Sequence, residues 1–205
     1  MRKIALFLSM LGIAVAIQAD TIVPISSPFT GVYSEGFETQ PDGVFVASLG
    51  VFGDGSTVES LGGPNLLVTV GWDFLSDTDP HSGDQFMGGA HVNYRYIFAQ
   101  PAYRFGGYFN TNTDVAGATV NFYDVSDNLM ASLTASAPTN GQWAWNGWET
   151  RGAAIARIEV IANNSFGGFI MQDDMTYSPI PEPTSLLLLG TGLGALGLVA
   201  WRRKK

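Results

Sequence analysis

The sequence predicts an all-β fold, a two-sheet β-sandwich or jelly roll of about nine strands, flanked by an N-terminal signal helix and a C-terminal transmembrane helix. Three observations carry that prediction. Short runs rich in β-branched and aromatic residues recur about every ten residues, with Gly and Pro between them. No interior stretch sustains a helical period. The long apolar runs stand at the two ends, Ile4 to Ile17 and Ser185 to Trp201.

In chain order the predicted strands are Val44 to Leu49, Leu66 to Phe74, His91 to Phe98, Arg104 to Asn110, Ala118 to Val125, Leu129 to Ala135, Trp143 to Trp148, Ala154 to Ala162 and Phe169 to Tyr177. In the fifth, Val120 and Phe122 alternate with Thr119, Asn121 and Tyr123, the pattern of a half-buried strand. Ser126-Asp127-Asn128 supplies a turn into the sixth, so these two runs form a hairpin. Gly53-Asp54-Gly55-Ser56 reads as another tight turn, and Asp73, Asp77, Asp79 and Asp84 as a solvated, turn-rich loop.

Charge is segregated along the 205 residues. The net charge is −8, but Arg2 and Lys3 stand at one end and Arg202, Arg203, Lys204 and Lys205 at the other. Between Asp20 and Ile180 there are four arginines, no lysine and 17 acids, a net charge of −13. So acidic a surface repels phosphate backbones and excludes nucleic acid as a partner. With no cysteine, disulfides, thiolate metal sites and a cysteine nucleophile are excluded too.

The ends read as addresses. Arg2 and Lys3 before a 14-residue apolar run, with the small residue Ala19 at the cut, describe a secretory signal peptide cleaved by signal peptidase. Ser185 to Trp201 is 17 uncharged residues, about 26 Å as a helix, which just spans a thin bilayer. The basic tail behind it resists translocation. The precursor is therefore expected in the inner membrane with its domain on the periplasmic side. Pro181-Glu182-Pro183 precedes this span, and flanking prolines hold the segment extended.

Pro181, Glu182 and Pro183, the Gly-rich apolar helix, and the tail containing Arg202 and Arg203 together resemble the PEP-CTERM protein-sorting signal. The resemblance implies a Gram-negative bacterium, processing by an exosortase near Pro-Glu-Pro, and delivery to the cell surface or extracellular polysaccharide matrix. The chain then divides into a signal peptide at 1–19, an exported domain at 20–178 and a sorting segment at 179–205. That segment comprises Pro-Glu-Pro at 181–183, the membrane helix at 185–201 and the basic tail at 202–205.

A second resemblance attaches to the exported domain. Gly36-Phe37-Glu38, Ile155 to Val160 and Phe169 to Tyr177 are similar in outline to galactose-binding-like and carbohydrate-binding-module jelly rolls. The resemblance implies a structural calcium held by Glu38 and Asp173. Independently, alternation places Asp173 on one face with Phe169, Met171, Met175 and Tyr177, where a carboxylate requires a partner. Calcium, Arg157 and backbone amides are the alternatives.

Trp143, Trp145 and Trp148 fall within six residues, and Trp143 and Trp145 share a strand face. Flat indoles beside Asn146, Glu149 and Arg151 suit stacking on sugar rings; packing into the core is the alternative. Tyr94, Tyr96, Tyr103 and Tyr108 form a second aromatic zone with the same two readings. No Gly-x-Ser-x-Gly elbow or phosphate loop occurs in the domain, and His81 and His91 lack metal-pair spacing. The expected function is a non-enzymatic structural or carbohydrate-associating surface protein. A calcium-stabilised adhesin and a glycan-modifying enzyme are the rivals.

Overall fold

The computed structural model describes residues 21–179, where every regular element is a strand. In chain order these are β1 (Thr21–Pro24), β2 (Tyr33–Glu35), β3 (Phe45–Val46), β4 (Ser48–Val51), β5 (Ser56–Ser60), β6 (Leu66–Thr69), β7 (Trp72–Asp73), β8 (Asp77–Thr78), β9 (Phe86–Gly89), β10 (Tyr94–Thr111), β11 (Ala118–Tyr123), β12 (Leu129–Ala135), β13 (Ala144–Arg151), β14 (Ile155–Ala162) and β15 (Ile170–Pro179). The two predicted terminal helices lie outside the described residues.

One strand organises the whole. The two predicted runs from His91 to Phe98 and Arg104 to Asn110 are a single 18-residue strand, β10, whose register shifts between Ile97 and Ala102. Its first part pairs with β14 and β5, and its second with β13 and β15. Tyr96 and Phe105 have ring centroids 5.2 Å apart. Nine residues of straight strand would separate them by roughly 30 Å, so β10 folds over on itself. Pro101, which cannot donate to a ladder, stands in the bend.

Two antiparallel layers result, joined by hydrogen bonding through β10. One runs β12-β11-β14-β10-β5-β4; the other runs β1-β13-β10-β15-β9-β6-β3, with β2 also on β15. A short β7-β8 ribbon stands apart. The core lies between the layers, where Phe122 meets Trp148 at 5.3 Å. Buried hydroxyls are paired across it: Tyr96 donates to Gln172 Oε1 at 2.7 Å and Tyr94 to the Ile170 carbonyl at 3.2 Å.

The predicted hairpin is β11-β12, with Asp127 at φ +64° and Asp124 Oδ1 accepting from the Ser126 and Asn128 amides. Residues 52–55 form the predicted turn between β4 and β5. The strand count is corrected from about nine to fifteen among the described residues. Two predicted runs each break in two, and β1, β2, β5, β8 and β9 were not predicted; at two to five residues they are too short for alternation to register.

Candidate functional site

The outer face of the layer containing β13, β10 and β15 carries the site. Alternation turns Phe105 and Phe109 of β10 into the core and puts Arg104, Gly106 and Tyr108 on the outer face, where Gly106 is covered. Register then sets the neighbours, with Tyr108 opposite Trp145 on one side and Asp173 on the other.

The Trp145 indole rests against two glycines. A Cβ on Gly106 would approach its ring to 2.8 Å, and one on Gly147 to 2.9 Å, so only glycine leaves room for it. Tyr108 packs against the indole at 5.5 Å and 67°, and Phe29 meets it edge-on at 5.8 Å. Trp145 Nε1 donates to the Ile25 carbonyl at 3.1 Å. Because β1 lies on β13 and β2 on β15, the connection from Ile25 to Val32 must cross β10, and it forms the outer wall.

The opposite wall comes from a bulge in β15. Register slips between Gly106 and Tyr108, and Asp174 sits at φ +47°. An extra residue reverses the in-and-out parity of the strand. This corrects the predicted common face: Phe169 and Met171 pack in a small cluster with Phe86, whereas Met175 and Tyr177 enter the main core.

Asp173, at the reversal, is fully buried. Its Oδ2 accepts from the amides of His81 (2.8 Å) and Ser82 (3.2 Å), and its Oδ1 from the Asp174 amide (2.7 Å). Backbone amides thus supply its partner, while Arg157 pairs elsewhere, with Asp127 and Glu159. Burial pushes the Asp173 carboxyl up to about 7; the charge of Asp174 adds to this and the amides oppose it.

Glu38 grips the other end of the same loop, accepting from the amides of Asp84 (3.0 Å) and Gln85 (3.2 Å). Both expected calcium donors are therefore engaged with backbone. Among the described residues no group of three or more His, Asp or Glu is placed to hold a metal. Asp73 and Asp77 face each other across β7-β8 and are exposed, as a solvated loop requires.

Between these walls lies a cavity of about 330 Å³, lined by Tyr108, Trp145, Phe29, Glu35, Asp174 and Thr176 among others. Its size is at the small end of ligand sites. Glu35 accepts from the Phe37 (2.7 Å) and Phe52 (3.0 Å) amides, and Asp174 Oδ1 accepts from Ser82 Oγ at 2.8 Å. Of the three predicted indoles, only Trp145 lines this cavity. Trp148 is corrected to a core residue: three positions on from Trp145 it points inward, is 2% exposed and packs on Phe105, Phe109 and Phe122. Trp143 is half-buried against Phe86 and donates to the Asp79 carbonyl. Of the predicted tyrosines, Tyr94 and Tyr96 are core and Tyr108 lines the cavity, while Tyr103 lies under Arg104. Ala19, Pro181, Glu182, Pro183, Arg202 and Arg203 lie outside the described residues.

No curated protein matches the chain. Among solved structures it is similar to the K2 cleaved adhesin domain of Lys-gingipain, at 13% identity and a TM-score of 0.48, over 71% of this chain and 98% of that one. It is also similar to the CBM22-1 xylan-binding domain from Paenibacillus barcinonensis (12%, TM-score 0.45, covering 76% and 100%). A third likeness is to TmCBM61 in complex with β-1,4-galactotriose (14%, TM-score 0.43, covering 70% and 93%). At the C-terminal end, residues 179–204, beginning at the last residue of β15, match the PEP-CTERM protein-sorting motif, which marks the chain as an exported protein sorted to the cell envelope.

Proposed function

We propose that the domain is a non-catalytic, carbohydrate-associating module of the cell surface or extracellular matrix, and that the cavity beside Trp145 holds the sugar. The observation that carries this is the Trp145–Tyr108 pair, two aromatic rings 5.5 Å apart on the rim of a concave site with Glu35, Asp174 and Thr176 around it. Ring faces take the apolar faces of pyranoses, and fixed polar groups read hydroxyls. Binding suits these carboxylates better than proton transfer, since Glu35 is held by two amides and Asp174 by Ser82 and His81.

On this reading, signal peptidase removes residues 1–19, the 185–201 helix holds a precursor in the inner membrane, and an exosortase processes it near Pro181-Glu182-Pro183. Calorimetric titration with soluble polysaccharides tests the binding. Heat of binding that is lost in Trp145→Ala, with the fold retained, supports the proposal; binding that survives the substitution removes the site from it.

A further inference from the structure

The charges around the proposed sugar site bear on which sugars can enter it. The charged residues lining the cavity, Glu35 and Asp174, are both acids. Among the described residues there is no lysine, and all four arginines are ion-paired. Arg95 binds Glu59 at 2.9 Å, Arg104 binds Glu149 at 3.0 Å, Arg151 lies 3.6 Å from Glu149, and Arg157 holds Asp127 and Glu159. The one imidazole at the rim, His81, has its Nδ1 2.6 Å from Asp174.

An anionic sugar entering here would meet two carboxylates, with every guanidinium already committed, inside a domain whose net charge is −13. Placing a further negative charge beside them is repulsive, and part-burial weakens the screening that salt provides. Breaking an existing pair to free an arginine would strand its carboxylate partner. Hydroxyls, by contrast, donate to carboxylate oxygens in short, charge-assisted hydrogen bonds. Resting on the carbohydrate reading above, we infer that the cavity selects uncharged glycans and rejects those bearing carboxylate or sulfate, through Asp174 and Glu35.

The test uses the full chain in detergent and matched β-1,4-linked hexasaccharides, each neutral gluco-, manno- or galacto-oligomer beside its C6-carboxylated counterpart. Every neutral oligomer that binds is expected to bind at least tenfold more tightly than its carboxylated partner, with the gap narrowing as salt is raised. Asp174→Asn is the informative variant, because Asn tolerates a left-handed backbone and can still accept from Ser82. It should narrow the gap several-fold, whereas Asp114→Asn, which removes an acid that does not line the cavity, should leave it unchanged. Equal or tighter binding of a carboxylated oligomer overturns the selection alone. An equal response to Asp114→Asn overturns its assignment to the cavity. If no oligomer of either kind binds, the carbohydrate reading falls and the selection with it.

Discussion

The imidazole of His81 lies flat on the phenol ring of Tyr108, with centroids 3.5 Å apart and planes 18° from parallel. The same imidazole reaches Asp174, while the His81 amide is held by Asp173. The loop before β9 is thereby fastened to one side of the candidate site by a ring contact, a side-chain hydrogen bond and a backbone bond. His81→Ala removes the first two and keeps the third. Hydrogen exchange should show faster opening of residues 81–85, and sugar affinity should fall by roughly threefold to tenfold, about 0.7–1.4 kcal/mol.

Asp173 gives the domain a pH dependence of definite sign. Its carboxyl is raised to about 7 in the folded protein, against 3.8 ordinarily, so between those values the folded state holds the extra proton. Its contribution to stability is complete below about 4 and is lost as pH rises through about 7. Melting temperature should fall between pH 5 and pH 8 and flatten above that. Self-repulsion of the acidic surface has the same sign, so the diagnostic comparison is Asp173→Asn, whose melting temperature should depend less on pH than that of the wild type.

Trp148 and Trp145 should separate stability from binding. Trp148→Ala opens the centre of the core beside Phe105, Phe109 and Phe122 and should cost about 3–5 kcal/mol in denaturant unfolding. Trp145→Ala removes a half-buried ring from the outer face, so it should cost less than half as much while abolishing oligosaccharide binding.

Gly106→Ala tests how the indole is seated. Its new Cβ would meet the Trp145 ring at 2.8 Å and the Asn146 carbonyl oxygen at 2.9 Å, and the backbone atom cannot swing aside. The ring must lift from the sheet. Affinity should drop about tenfold, or 1.4 kcal/mol, and the tryptophan emission should shift to the red.

Glu38 and Asp173 also make the calcium expectation testable. Because amides of the loop at 81–85 satisfy both carboxylates, chelation should leave the melting temperature unchanged. A melting temperature that rises on adding calcium, and no longer does so in Glu38→Gln, would instead assign a metal to this loop.

Local chemistry in the sequence was enough to set several features. The C-terminal address is a contiguous run, and the 179–204 match falls where Pro-Glu-Pro, the apolar span and the basic tail coincide. The Ala118–Ala135 hairpin needed only alternation and an Asp-Asn turn, and the all-β class only spacing and composition. Tertiary structure decided the site. Alternation alone sets Trp145 and Trp148 on opposite faces of β13, but which of the two faces the core depends on which side of the strand meets the second layer, and the bend in β10 settled that. The bulge at Asp174 is invisible to alternation because it breaks it. Phe29, Glu35, His81 and Asp174 come from distant stretches of chain, brought to one rim by pairings over as many as about 145 residues. Periodicity reports what each segment buries, whereas a cavity is made by the faces that segments leave uncovered, and those are fixed only when the strands find their partners.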